Sequence, residues 1–140
     1  MVPIPGCWTR DGKNILIALM ELKTRKSTIW NISTNGKEKK QISGHHEGIY
    51  RYLDLSPDGS LLVYGAMEIK GEKRNTGLWI MPVEGGKSIQ LVSHPGFNDA
   101  PQWSPDGKKL AFTSTRSGGG IWIMDVGVEQ LKRELRELNK

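Results

Sequence analysis

The chain has 140 residues, 36% of them hydrophobic and 25% charged, with a formal net charge of +5. That is enough for one ordinary globular core and too little for two large ones. The single cysteine, Cys7, excludes an internal disulfide and a cysteine zinc cluster, and no apolar run approaches the roughly 18 residues of a membrane-spanning helix.

Seventeen glycines and seven prolines punctuate short runs of Trp, Ile, Leu and Val, the pattern of an all-β chain. At the N-terminus, MVPIPGCWTR lacks the charged and apolar regions of a signal peptide. As written, the chain is expected to stay in the cytoplasm; as part of an exported parent it is expected in the periplasm. No apolar stretch precedes Cys7, which therefore reads as a strand residue beside Trp8 and not as a lipoprotein cleavage site.

The first hairpin, WTRDGKNILIAL (Trp8 to Leu19), turns at Asp11-Gly12 into a strand from Ile15. Met20-Glu-Leu-Lys23 follows and is expected in a loop. A Trp-centred strand comes next (Thr28 to Ile32), then a turn at Asn35-Gly36 and a short strand ending at Ile42. Residues 1–43 hold eight Lys or Arg against three acidic residues, so this segment carries the whole net charge. The basic clusters, Lys23 to Lys26 and Lys37 to Lys40, fall at loop tips where charge is ordinarily solvated. With no aromatic residue interleaved for base stacking, a nucleic-acid partner is not expected.

The same order then recurs. LSPDGSLLVYGA (Leu55 to Ala66) leads to a Trp strand at Leu78 to Met81, a Gly85-Gly86 turn and a strand at Ile89 to Val92. WSPDGKKLAFTS (Trp103 to Ser114) leads to Ile121-Trp-Ile-Met124. The Asp-Gly pairs begin at Asp11, Asp58 and Asp106, giving spacings of 47 and 48 residues. Met67-Glu-Ile-Lys70 repeats the MELK loop of the first unit, and the third unit substitutes Thr115 to Gly120. The signature is turn chemistry. Pro57 and Pro105 preset φ, Asp58 and Asp106 bond the local backbone as Asp11 does, and Gly12, Gly59 and Gly107 take the left-handed corner. Ser56 and Ser104 are expected to bond within the same turns.

Four short antiparallel strands at a period of 40 to 50 residues mean propeller blades. Gln102 to Ser114, followed by Ile121 to Val126, resembles the WD-like repeats of TolB-type β-propellers, and the resemblance runs from residue 1 to about 126. It implies an all-β fold of three four-stranded antiparallel blades, the last one incomplete, forming half of a six-bladed ring, and the segment beyond it reads as a short C-terminal helix. The blades are expected at about 1–43, 44–92 and 93–126, and the helix at 127–140. Three blades would leave flat apolar faces at both ends. Either a second copy completes the ring as a homodimer, or the remainder of a longer propeller does; a two-fold axis parallel to the channel would continue the winding.

In the C-terminal segment, Val128, Leu131, Leu135 and Leu138 form one helical stripe, and Glu129, Arg133 and Glu137 can pair along its surface. The helix is expected to cover the open edge of the third blade, with a dimer contact through the leucines as the alternative. Trp30, Trp79 and Trp122 are expected to pack between blades.

Candidate site residues lie in the connections entering the innermost strands. His46 and His94 each stand ten residues before a turn serine, and His45, Tyr50, Arg51, Asn98 and Asp99 share those connections, so these residues form the candidate ligand or partner face. His46 and His94 are weak candidates for a divalent metal, against the alternative of local hydrogen bonding. No cofactor is expected. Asp54, Ser56 and His46 lie close in sequence, yet no Gly-x-Ser-x-Gly elbow, phosphate loop, dinucleotide fingerprint or His-Glu-x-x-His pair is present. The expected function is a noncatalytic scaffold that binds protein or a small ligand. The alternatives are a metal-dependent lyase of the oligogalacturonate type and the propeller domain of a peptidase.

Overall fold

Each of three tight turns is closed by the same side-chain exchange. Thr9 Oγ1 donates to Asp11 (2.7 Å) and accepts the Asn14 N–H (3.0 Å). Ser56 Oγ donates to Asp58 (2.6 Å) and accepts the Leu61 N–H (3.0 Å). Ser104 Oγ donates to Asp106 (2.6 Å) and accepts the Lys109 N–H (3.0 Å). Gly12, Gly59 and Gly107 close these turns at φ of 70°, 76° and 73°, a corner that costs glycine nothing and a side-chain residue about 1–2 kcal/mol.

The computed structural model describes residues 1–43 and 48–140. The turns open three antiparallel sheets. The first runs β1 (Val2–Trp8), β2 (Asn14–Met20), β3 (Ser27–Ser33) and β4 (Lys39–Gln41) in sequence order. The second repeats it with β5 (Ile49–Leu55), β6 (Leu61–Lys70), β7 (Lys73–Pro82) and β8 (Ile89–Val92). Among the described residues the third has three strands, β9 (Asn98–Trp103), β10 (Lys109–Ser114) and β11 (Gly120–Asp125). The fold is thus all-β and a partial propeller, as the repeat predicts.

Alternation along the strands gives each blade two faces. Leu16, Ala18 and Ile29 of the first blade meet Leu62, Tyr64, Ala66 and Met81 of the second in one core. The opposite face of the second blade, through Leu61, Val63 and Ile80, meets Trp103 and Leu110 of the third in another. Polar links join the junctions as well. Arg10, which stands where the other turns have proline, donates to the Leu55 and Ser56 carbonyls, and Asp54 accepts the Trp103 N–H at 2.8 Å.

Three local expectations need correction. Met67 to Lys70 is not loop: β6 extends through Lys70 and pairs it with Lys73, so the hairpin continues well past the point where the first blade turns. The helix, α1 (Val128–Leu138), does not cover the edge of the third blade. It lies across the junction of blades two and three, where Leu131 and Leu135 are buried with Leu61, Val63, Ile80 and Leu110. Leu131 and Leu135 are taken up there and are not free for a dimer contact, which leaves Leu138, 40% exposed, as the open end of the stripe. Ion pairing along α1 joins Lys132 to Glu129 and Lys140 to Glu137, in place of the Glu129, Arg133 and Glu137 series.

Lys132 also anchors α1 to the second blade through Asp58 (2.7 Å). Partial burial pushes the Asp58 carboxyl up, but hydrogen bonds from Lys132, Ser56 and Ser60 outweigh it and hold the group well below the ordinary range. A depressed carboxyl contributes stability that is complete above the unfolded pKa of about 4 and disappears as pH falls through the folded value. The stability gap between the wild type and Lys132→Ala should therefore be constant near neutrality and close in acid. Thermal melts of both proteins from pH 7 down to the acid limb check this, and a gap that widens below pH 4 would contradict it.

Candidate binding face at the channel

The innermost strand of each blade breaks register at the same place. In β1 the shift falls between Ile4 and Cys7, in β5 between Arg51 and Asp54, and in β9 between Asp99 and Gln102. A bulge inserts an extra residue and re-aims the side chains around it. Pro5, Tyr52 and Ala100 are the corresponding bulge residues. Tyr52 and Ala100 share a left-handed φ of 51°, a conformation that residues other than glycine seldom adopt. The three bulges line one open concavity of about 570 Å³, bounded by Pro5, Gly6, Tyr52, Leu53, Ala100 and Pro101. This is the channel side of the blades.

One residue before the bulges of β5 and β9, Arg51 and Asp99 bridge the second and third blades at 3.4 Å. Burial raises the Asp99 carboxyl above its ordinary range, while the Arg51 guanidinium and the Ala100 N–H pull it back. The carboxylate fits because Gly65 faces it: a Cβ at Gly65 would lie 2.3 Å from Asp99 Oδ1. Arg51 also donates to the Tyr52 hydroxyl (3.0 Å), with its guanidinium 4.9 Å from that ring's centroid. Tyr52 remains 48% exposed at the mouth.

The other candidates separate. Tyr50 is buried in the first core, edge-on to Tyr64 with ring centroids 5.0 Å apart, so it is not on an open face. Asn98 is fully buried as well. Its Nδ2 donates to the Thr76 and His94 carbonyls (3.1 and 2.6 Å), and its Oδ1 accepts from the Ser114 hydroxyl (2.8 Å). Both side chains face inward because the strands that carry them alternate toward the blade junctions. His94 is exposed, with Nδ1 2.9 Å from the Pro95 carbonyl. His45 and His46 lie outside the described residues, so the metal proposal that pairs His46 with His94 has no geometry here. Among the described residues no group of three or more His, Cys, Asp and Glu is placed to hold a metal ion.

Ser56 is fully buried, and its hydroxyl is engaged by Asp58 and Leu61 within its own turn. Cys7 packs against the first core. Burial, with Asp54 nearby adding to it and Arg10 opposing, pushes its thiol up to about 12. That leaves it protonated at neutral pH and a poor nucleophile. Of the tryptophans, Trp79 packs on the first core, whereas Trp122 is partly exposed beneath the Arg116 guanidinium at 4.6 Å. No helix among the described residues is long and apolar enough to cross a membrane.

Tyr52 is the residue of this face that sequence reasoning missed. A tyrosine gives no turn signal, but its position 48 residues before Ala100 would have paired the two bulges.

Antiparallel sheets set side by side, with their innermost strands bulged toward one concavity, define a segment of a β-propeller. The model of the TolB beta propeller domain matches residues 2–137, and the chain belongs to that family. The Tol-Pal system protein TolB of Hahella chejuensis is 37% identical over 113 residues, which cover 77% of this chain and 26% of the relative. The uncharacterized peptidase YuxL of Bacillus subtilis is 34% identical over 76 residues, covering 53% of this chain and 12% of the relative. Among solved structures, putative TolB from Agrobacterium tumefaciens superposes with a TM-score of 0.65 at 26% identity, over 84% of this chain and 40% of that one. The chain spans about a quarter or less of the two curated relatives.

Proposed function

We propose that the chain is a noncatalytic propeller scaffold that binds a protein or small ligand on its channel face, with its end faces completed by self-association. The observation that carries the binding reading is the convergence of three register breaks on one concavity. Tyr52 stands exposed there in a left-handed conformation that costs roughly 1–3 kcal/mol. Such strain is retained where the surrounding structure fixes it, and at Tyr52 it presents an aromatic ring and hydroxyl at the mouth. The engagement of Ser56 in its turn and the raised thiol of Cys7 favour a scaffold over a nucleophilic enzyme.

Tyr52→Gly tests this directly. Glycine relieves the left-handed strain, so stability should hold or rise by up to about 1 kcal/mol, while the recognition ring is removed. Quantitative capture from lysate, with wild type and variant as parallel baits, should show at least one specific partner depleted about tenfold or more by the substitution. Equal capture by both baits would contradict the channel-face reading. Turnover of an acidic oligosaccharide in an absorbance assay would contradict the noncatalytic one.

A further inference from the structure

The exposed faces of the first and third blades occupy positions that are buried at the two internal junctions. On the third blade, Ile121 pairs across from Thr113 and Ile123 from Ala111. In the second blade the same register places hold Leu78 across from Gly65 and Ile80 across from Val63. Leu78 and Ile80 are fully buried, whereas Ile121 and Ile123 are 78% and 66% exposed. The reverse holds on the first blade. Ile15 stands where the second blade has Leu62, Ile17 where it has Tyr64, and Trp30 where it has Trp79. Leu62 and Tyr64 are fully buried in the first core, but the face carrying Ile15, Ile17 and Trp30 is only half-buried, and Trp8 beside it is 61% exposed.

These two faces are of opposite type. One is the kind that meets a following blade, and the other the kind that meets a preceding blade. A polar feature matches as well. Asp54 accepts the Trp103 N–H across the second junction. Gln102 holds the place of Asp54 on the third blade, paired with Ala111 as Asp54 is with Val63. Trp8 holds the place of Trp103, paired with Ile15 as Trp103 is with Leu110.

We infer that two copies of this chain join head to tail, the Ile121 and Ile123 face of one against the Trp8 and Trp30 face of the other, about a two-fold axis along the channel. Gln102 of each copy then accepts the Trp8 N–H of its partner, and the two identical junctions close the ring. Heterologous contacts of this kind close when the rotation per copy divides a full turn, and three blades of a six-bladed ring make half of one. This inference rests on the scaffold reading above and specifies its self-association.

Sedimentation equilibrium of the full chain should give twice the 15.6 kDa of one copy. Ile123→Arg and Trp8→Glu alter exposed positions on opposite faces. Each variant should keep the wild-type circular dichroism and should be monomeric at concentrations where the wild type is fully dimeric. Mixing the two should restore a heterodimer, since one junction is then intact. A monomeric wild type, as expected if the faces belong against further blades of a longer chain, would overturn the inference. So would open polymers, a dimer that survives one of the two substitutions, as a face-to-face pairing requires, or a mixture that restores nothing. Tyr52 lies on the channel and not in either junction. A dimeric mass with unchanged capture by Tyr52→Gly would therefore remove the binding reading alone, and a monomer that keeps Tyr52-dependent capture would remove the dimer alone.

Discussion

Asn98→Ala is expected to destabilise the protein by about 3–5 kcal/mol. Asn98 is fully buried and its amide is shared among two carbonyls and the Ser114 hydroxyl. Each buried partner left unsatisfied costs about 1–3 kcal/mol. The Asn98 N–H bond to Thr76 Oγ1 (2.9 Å) survives the substitution, which keeps the loss below that of the whole junction. Asn98→Asp is expected to be at least as harmful, because a carboxylate would face the Thr76 and His94 carbonyl oxygens with no proton to donate. Denaturant unfolding of both variants checks this. A partner contact at Asn98 would instead lose binding while leaving stability near wild type, so near-wild-type midpoints for both would restore Asn98 to the candidate face.

Leu62→Ala is the second substitution with a large expected effect. Leu62 is fully buried in the second strand of the second blade, in the core that also holds Leu16, Ala18 and Ile29 of the first. Removing it forfeits the transfer energy of three methyl or methylene groups and leaves a cavity between sheets whose backbones are fixed by their ladders, at a cost of about 2–5 kcal/mol. For a domain of this size the melting temperature should fall by roughly 10 °C. Ile123→Ala, in the exposed third blade, removes atoms of the same kind, and in the monomeric Trp8→Glu background it should change the melting temperature by little. A calorimetric comparison of the two separates burial from hydrophobicity, and equal effects would contradict the assignment of core and end faces.

The repeat was legible because turn chemistry is local. Asp11, Asp58 and Asp106 each bond the residue two positions on, and such contacts are written into adjacent letters. The blade order followed from the period and the number of strands in each unit. What could not be read depends on distant partners. Arg10 stands where the other two turns have proline, and nothing in its neighbours in sequence shows that it ties the first blade to the Leu55 and Ser56 carbonyls. The spacing of Val128, Leu131 and Leu135 shows that α1 is apolar on one face, but the destination of that face depends on Leu61 and Ile80, more than 40 residues away.

The candidate face was only partly visible for the same reason. Sequence distance from the turn serines points to the connections entering the innermost strands, whereas Arg51 and Asp99 lie within β5 and β9, where they pair between blades. Spacing alone could not tell that Tyr50 and Asn98 turn inward while Tyr52 turns to the mouth. The bulge between Arg51 and Asp54 shifts the alternation by one residue and exchanges the faces. A glycine at that bulge would have announced it; a tyrosine does not.

Small-angle X-ray scattering of the full chain tests the central claim most directly, because it reads how the blades are arranged in solution. Two copies closed head to tail should give the profile of a single flat disc, with a compact, single-peaked distance distribution matching six blades around one channel. An elongated profile with two separated lobes, or that of three blades alone, would contradict the account.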